Sequence, residues 1–125
     1  MKKILIVDDE EKIRRIYGAL LTLENYEVIT AEDWEVATTI ILTRKDIALI
    51  LLDINLPIVD GAALYDAIRL YDQNTKVLVV SAYPIEDQKR LVMKADDYFD
   101  KSQGTDTLIQ KVNDLLSGTS AKQEA

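Results

Sequence analysis

Cysteine and histidine are both absent from this sequence. Without cysteine, the chain has neither a disulfide nor a thiolate ligand for a metal ion. Without histidine, it lacks the most common general base, the imidazole ligands of zinc sites and the side chain that carries the phosphoryl group in phosphohistidine relays. Enzyme classes that depend on these side chains are therefore excluded.

Long apolar runs and positive charge are also scarce. No apolar segment approaches the roughly 18 residues of a membrane span, and the opening MKKILIVDDEEK turns acidic too early for a signal peptide. Acidic residues outnumber basic residues by 22 to 15, for a formal net charge of -7. Because such a surface repels nucleic-acid phosphates and anionic lipids, we expect a cytoplasmic protein that binds neither nucleic acid nor membrane directly.

Short apolar segments alternate with amphipathic segments along the chain, whose 125 residues suit one domain. The apolar segments predict strands at residues 4–7, 26–31, 47–52, 77–80 and 97–99. A helical pattern of apolar residues follows each strand. We predict that Asp33 and Thr105 cap the second and fifth helices, that Pro84 lies in the first turn of the fourth, and that Gly118 ends the fifth.

This regular alternation of strands and helices predicts an α/β fold. We expect a single doubly wound, five-stranded parallel sheet of order 2-1-3-4-5, with five helices on its two faces, as in flavodoxin-like folds. The predicted domain covers residues 1–117. Residues 118–125 are interpreted as a tail or the stub of a linker.

Polar residues follow the predicted strands at the ends where open parallel sheets bind their ligands. These residues are Asp8, Asp9, Glu10 and Glu11 after strand 1, Asp53, Asn55 and Asp60 after strand 3, Ser81 and Ala82 after strand 4, and Lys101 after strand 5. Crowded carboxylates repel one another, which raises their pKa values or recruits a cation, and oxygen ligands alone suit Mg2+. A carboxylate can also form an aspartyl phosphate, so the pattern favours phosphoryl transfer.

Four segments of the chain resemble the receiver (CheY-like) domain of the response regulators of bacterial two-component systems. They are ILIVDDE, LLDINLPIVDG, VVSA and ADDYFDK, in this order and each at a predicted strand end. Each segment alone is a weak signal, but their order and positions together are specific. The resemblance covers nearly the whole chain, about residues 2–117.

The resemblance implies a role for each matching residue. Asp53 would accept the phosphoryl group, and Lys101 would contact a phosphate oxygen. Asp9 would bind Mg2+ directly, Asp8 mainly through metal-bound water, and Asn55 through its backbone carbonyl. The donor would be a sensor histidine kinase or a phosphotransfer protein, for which small acyl phosphates often substitute.

The resemblance also implies a conformational switch. Ser81 would move to bind the phosphate, Tyr98 would swing inward behind it, and Ala82 would leave room for the phosphate and its attacker. The switched surface would be formed by helix 4, strand 5 and helix 5, and would contact an effector domain or a target protein. The same surface would serve a homodimer.

The sequence departs from the family pattern near its end. Ser102 replaces the proline that usually follows the lysine, and we expect a trans Lys101–Ser102 peptide or backbone strain, because a non-proline cis bond costs about 3–4 kcal/mol. The interval between Ser81 and Lys101 is about two residues shorter than usual, which predicts a short or displaced fourth helix. Lys94 and Trp34 replace glycines that are common in the family.

Simpler structural explanations exist for the same residues. Asp8 and Asp9 could cap the first helix, and Asp53 could be an ordinary turn residue. Lys101 could be a solvated surface charge, and Ser81 a strand-end hydroxyl. Tyr98 could be a static, half-buried aromatic residue. Pro57 and Gly61 are structural under every interpretation, since proline fixes φ and glycine frees it.

Three other functions stay open. A phosphatase of the haloacid-dehalogenase type also forms an aspartyl phosphate, but after its first strand and with a second acid where Asn55 stands. A flavodoxin-like cofactor binder would need a phosphate-binding loop after strand 1, where the acidic run would repel phosphate. A degenerate receiver would act as a phosphorylation-independent interaction module.

Overall fold

The structure is a computed structural model that describes residues 1–55 and 61–117 of the chain. The interpretations of Pro57, Gly118 and the 118–125 tail therefore lie outside the described residues. The strands are β1 (Lys3–Val7), β2 (Glu27–Ala31), β3 (Ile47–Asp53), β4 (Lys76–Ser81) and β5 (Asp97–Asp100). The helices are α1 (Glu11–Leu23), α2 (Trp34–Thr43), α3 (Gly61–Tyr71), α4 (Ile85–Leu91) and α5 (Thr105–Ser117).

All described strands pair in parallel, in the order β2-β1-β3-β4-β5. This confirms the predicted fold class and strand order. Side chains of a strand alternate between the two faces of its sheet. In the central strand, Ile50 and Leu52 therefore pack with α2 and α3, whereas Leu49 and Leu51 pack with α1 and α5. Burial on both faces explains why β3 is a continuous apolar run rather than an alternating one.

The turns and helix ends agree with most of the local predictions. The Asp33 side chain accepts a hydrogen bond from the Val36 N–H at 2.9 Å, so it caps α2 as predicted. Asn25, before β2, has a φ of 70°, a left-handed value that asparagine tolerates. The fourth helix is short, as expected, with 7 residues.

Two helix starts were predicted incorrectly. Thr105 is the first residue of α5 rather than its cap, and the carbonyl of Gly104 accepts hydrogen bonds from the first turn instead. Pro84 precedes α4 at the capping position, not in its first turn. Its φ of -57° suits both positions, so the residue type alone does not distinguish them.

The apolar stripes on the helices are wider than the surface that the sheet covers. Ile16, Val36 and Tyr71 have the helical spacing of the inward-facing residues, yet they are exposed. No helix in residues 1–55 and 61–117 is long and apolar enough to cross a membrane.

Leu51 provides a test of this core. It is 1% exposed in β3, whereas Leu70 of α3 is 85% exposed. We expect Leu51→Ala to lower the free energy of unfolding by about 2–5 kcal/mol through lost burial and a residual cavity. Leu70→Ala, the matched control, should change it by less than about 0.5 kcal/mol. Urea unfolding followed by circular dichroism measures both, and equal losses would contradict the assigned packing.

Candidate functional site

The carboxyl ends of β1, β3, β4 and β5 bring the predicted site residues to one rim of the sheet. Asp53 is the last residue of β3 and Ser81 the last residue of β4, and both are buried. Asp8 directly follows β1 and is buried as well, while Lys101 directly follows β5. The parallel sheet therefore gathers side chains that are far apart in the sequence.

Lys101 is the centre of the ionic contacts at this rim. Its Nζ lies 3.0 Å from Asp8 Oδ2, 3.1 Å from Glu10 Oε2 and 3.4 Å from Asp53 Oδ2. The Lys101 side chain is 13% exposed, so it is not a solvated surface charge. The Lys101–Ser102 peptide is trans, as is every peptide bond among the described residues.

Burial and charge shift the pKa values of both partners. Burial raises the pKa of Asp53 to about 6, and the neighbouring charge of Asp8 adds to this, although the Asn55 N–H and Lys101 act in the opposite direction. Burial by itself would lower the pKa of Lys101, but the charges of Asp53, Asp8 and Glu10 outweigh it and raise that pKa above its ordinary value. Lys101 therefore stays positively charged at neutral pH.

Backbone hydrogen bonds orient the two buried carboxylates. Asp53 Oδ1 accepts a hydrogen bond from the Asn55 N–H at 2.8 Å, and Asp8 Oδ1 accepts one from the Glu10 N–H at 2.9 Å. The second oxygen of each carboxylate contacts Lys101. Glu10, not Asp8 or Asp9, occupies the capping position of α1, and it makes no capping hydrogen bond through its side chain. Helix capping therefore does not account for the aspartates.

The acidic residues after β1 form a cluster that fits a hard cation. Asp8, Asp9 and Glu10 each offer a carboxylate oxygen, and these oxygens lie within 4.8 Å of one another. Asp53 adjoins the cluster through Lys101. An all-oxygen donor set of this kind suits Mg2+, which is usually held by one or two carboxylates and keeps several waters.

Ser81 and Asn55 are joined by a direct hydrogen bond. The Ser81 hydroxyl donates to Asn55 Oδ1 and accepts from the Tyr83 N–H at 3.0 Å. The Ser81 carbonyl accepts from the Lys101 N–H at 2.8 Å, which holds the end of β5 against β4. Ala82, the next residue after Ser81, is exposed.

Tyr98 faces the interior beneath α4. The residue is buried rather than half-buried, and its hydroxyl donates a hydrogen bond to the Val92 carbonyl just beyond α4. Lys89 Nζ lies 6.0 Å from the centre of the Tyr98 ring. Tyr98 thus connects β5 with the end of α4.

Two contacts at this rim were not predicted from the sequence. Glu10 was given no role, although the acidic run after strand 1 placed it next to the site. Asn55 was assigned only through its backbone carbonyl, and nothing in the pattern indicated that its side chain would bind Ser81.

Comparisons with known proteins identify the family of this chain. Residues 4–113 match the family described as the response regulator receiver domain. The chain is 34% identical over 119 residues to the probable transcriptional regulator ycf27 of Cyanophora paradoxa, covering 94% of this chain and 49% of that protein. The chain spans about half the length of the curated relatives that it matches.

Solved structures give the same result. The response regulator TrrA of Thermotoga maritima, in complex with Mg2+ and BeF, is 35% identical with a TM-score of 0.83, covering 93% of this chain and 100% of that one. A CheY-like receiver domain protein of Methanospirillum hungatei is 27% identical with a TM-score of 0.87, covering 100% and 99%. This chain belongs to the response regulator receiver domain family of two-component systems.

The pKa of Asp53 predicts how stability depends on pH. In the folded state this pKa is about 6, above the ordinary value of 3.8. Between these values the folded protein binds the proton more tightly, so the contribution of Asp53 to stability falls as the pH rises and is fully lost above about pH 6. With a chelator present, Asp53→Asn should therefore be more stable than the wild type at pH 7.5, by at most about 3 kcal/mol.

This advantage should shrink towards zero near pH 4, where the carboxyl is protonated in the folded wild type. Urea unfolding at a series of pH values measures it. Asp66→Asn, at an exposed position in α3, is the control and should track the wild type throughout. An advantage of Asp53→Asn that is the same at both pH values would contradict the assigned burial.

Proposed function

We propose that Asp53 accepts a phosphoryl group in a Mg2+-dependent reaction and that the domain switches an interaction surface in response. A phosphoacceptor role is general to the receiver family. The observation that carries the proposal for this residue is the contact of the buried Asp53 carboxylate with Lys101, beside the acidic cluster that follows β1.

The reaction assigns one task to each side chain. An ionised Asp53 oxygen attacks the phosphorus of the donor, an oxygen–phosphorus bond forms, and the bond from phosphorus to the leaving group breaks. A pKa of about 6 leaves this carboxylate mostly ionised at neutral pH. Lys101 then contacts a phosphate oxygen and neutralises part of its charge. The donor is a sensor histidine kinase or a phosphotransfer protein.

The proposed Mg2+ ligands are Asp9, Asp53 and the Asn55 backbone carbonyl, with Asp8 acting mainly through bound water. When bound, the ion neutralises charge on the transferring group and orients it. The oxygen-only donor set and the closeness of the acidic side chains support this assignment.

The phosphoryl group carries a charge of about -1.5 to -2 in place of the single carboxylate charge of Asp53, and its three oxygens can redirect the neighbouring donors. Lys101 exchanges a carboxylate partner for the phosphate, and the Ser81 hydroxyl exchanges Asn55 for a phosphate oxygen, with Ala82 leaving room for the group. Tyr98, behind Ser81, follows this movement. The surface of α4, β5 and α5 then changes its affinity for an effector domain, a target protein or a second copy of the chain.

A second candidate function is a phosphorylation-independent interaction module. The short segment between Ser81 and Lys101 and the serine in place of the usual proline favour it. Binding of Mg2+ without phosphorylation would support this alternative. Membership of the receiver family argues against the phosphatase and flavodoxin-like alternatives.

Phosphorylation is tested by incubating the protein with a small acyl phosphate and Mg2+, followed by intact mass. We expect the wild type to gain one phosphoryl group that hydroxylamine removes, because acyl phosphates react with it. Asp53→Asn should gain none, and the control Asp66→Asn should match the wild type. No mass gain in the wild type, or an undiminished gain in Asp53→Asn, would refute the proposal.

Lys101→Met tests the role of the ammonium. Loss of one charged group that stabilises the transferring phosphoryl should slow phosphorylation by about a hundredfold. Because Lys101 lowers the pKa of Asp53, its removal should also shift the pH at which the rate reaches half its maximum upward. Lys111→Met is the control, since Lys111 pairs with Asp97 at the start of β5, the opposite end of that strand from Lys101. Equal rates for Lys101→Met and the wild type would exclude the assigned role.

A further inference from the structure

Gln88 is a fully buried polar residue in the middle of α4, at 0% exposure. Burying an amide is unfavourable unless its hydrogen bonds are made. The Gln88 side-chain nitrogen donates to the Tyr83 carbonyl at 2.8 Å and to the Phe99 carbonyl at 2.9 Å. The side-chain oxygen has no hydrogen-bond partner among the residues that the structure describes. An apolar side chain would avoid this penalty, so the amide calls for an explanation beyond packing.

The two carbonyls that Gln88 binds belong to different parts of the domain. Tyr83 lies in the loop between β4 and α4, directly after the predicted switch residues. Phe99 lies in β5, the edge strand of the sheet that residues 1–55 and 61–117 form, so its outer backbone groups have no neighbouring strand within that sheet. Gln88 therefore ties α4 to the loop before it and to the edge of the sheet.

The loop contact leads back to the phosphorylation site. The Tyr83 N–H donates to the Ser81 hydroxyl at 3.0 Å, and that hydroxyl donates to Asn55 Oδ1. The Asn55 N–H donates to Asp53 Oδ1 at 2.8 Å. A continuous series of hydrogen bonds thus runs from Asp53, the proposed acceptor, to Gln88. Each residue along it makes the hydrogen bonds that join it to the next.

The series continues past Gln88 into the surface proposed to switch. The Phe99 carbonyl belongs to the peptide group that joins Phe99 to Asp100. Lys101 is the next residue, so this carbonyl lies close in the chain to the proposed phosphate contact. Tyr98, on the other side of Phe99, reaches the end of α4 through its bond to the Val92 carbonyl. The helix is therefore tied to β5 at two points, Gln88 and Val92.

We propose that Gln88 is a positioning residue that transmits a movement of Ser81 to α4 and to β5. The Ser81 hydroxyl accepts a hydrogen bond from the Tyr83 N–H. If this hydroxyl turns from Asn55 to a phosphate oxygen, the Tyr83 N–H must move with it or lose that hydrogen bond. The Tyr83 carbonyl then moves relative to the Gln88 amide, which is shared with the Phe99 carbonyl. Because the amide is buried, leaving either bond unmade is costly, which favours a shift of the helix together with the carbonyl. This inference rests on the proposed function of Asp53.

The first measurement needs no phosphorylation. Solvent exchange of the Gln88 side-chain amide is recorded by NMR in the wild type and in Ser81→Ala. Loss of the hydroxyl removes the bond that holds Tyr83, so exchange should accelerate by about tenfold, the effect of one net hydrogen bond. The control is Glu86→Met at an exposed position of α4, which should leave exchange unchanged. Unchanged exchange in Ser81→Ala would overturn the proposal.

The second measurement follows phosphorylation by a small acyl phosphate and Mg2+ in Gln88→Met. Methionine has nearly the same volume without the amide donors. Phosphorylation of Asp53, measured by intact mass, should stay within about twofold of the wild type, because Gln88 contacts none of the reacting groups. The backbone chemical-shift changes in α4 should nevertheless fall several-fold, while those at Ser81 persist. Changes of wild-type size in α4 would overturn the proposal.

The outcomes separate this inference from the proposed function. A wild type that accepts no phosphoryl group refutes the role of Asp53, and the exchange of the Gln88 amide in Ser81→Ala still decides whether the two positions are coupled. A phosphorylated Gln88→Met with an intact α4 response refutes the role of Gln88 alone. Circular dichroism of Gln88→Met and Glu86→Met, two methionine substitutions in one helix, establishes that both are folded.

Discussion

The pairing of Lys101 with buried carboxylates is the interaction on which the rest of the site depends. Asp8 and Asp53 are buried side by side at neighbouring strand ends, and two such charges repel one another unless a cation lies between them. Lys101 supplies that cation from the end of β5. The same ammonium holds the end of β5 near the ends of β1 and β3. The ionisation of the carboxylates at the rim and the position of the edge strand β5 are therefore linked.

The order of the strands makes this pairing possible. β1 and β3 are adjacent, and β4 separates β3 from β5. A long side chain is therefore needed to reach from the end of β5 to Asp53, and lysine supplies it. Ser81, at the end of the intervening β4, lies between the two and binds the backbone of Lys101. The charged site and the loop before α4 thus share one strand end.

The sequence was sufficient to predict the strands, their order and the location of the rim, because these follow from apolar runs and from the geometry of parallel sheets. It was not sufficient for Glu10 or for the side chain of Asn55, whose partners lie far away in the chain. Ser81 and Asn55 are 26 residues apart and meet only after β3 and β4 have paired. Gln88 was missed for another reason, since a polar residue in a short amphipathic helix ordinarily faces water. The start of α5 was misplaced because threonine is common at helix caps.

The brevity of α4 has an energetic consequence. A helix of 7 residues has too few internal hydrogen bonds to be stable by itself, so its order depends on the anchors at Gln88 and Val92. Such an element can open locally at a free energy well below that of global unfolding. A partner that binds the ordered helix would bind more weakly, because part of its binding energy would be needed to order α4. Any event that strengthens the contacts at Gln88 and Val92 would restore the affinity. The domain could then regulate association through the order of this short helix as well as through its position.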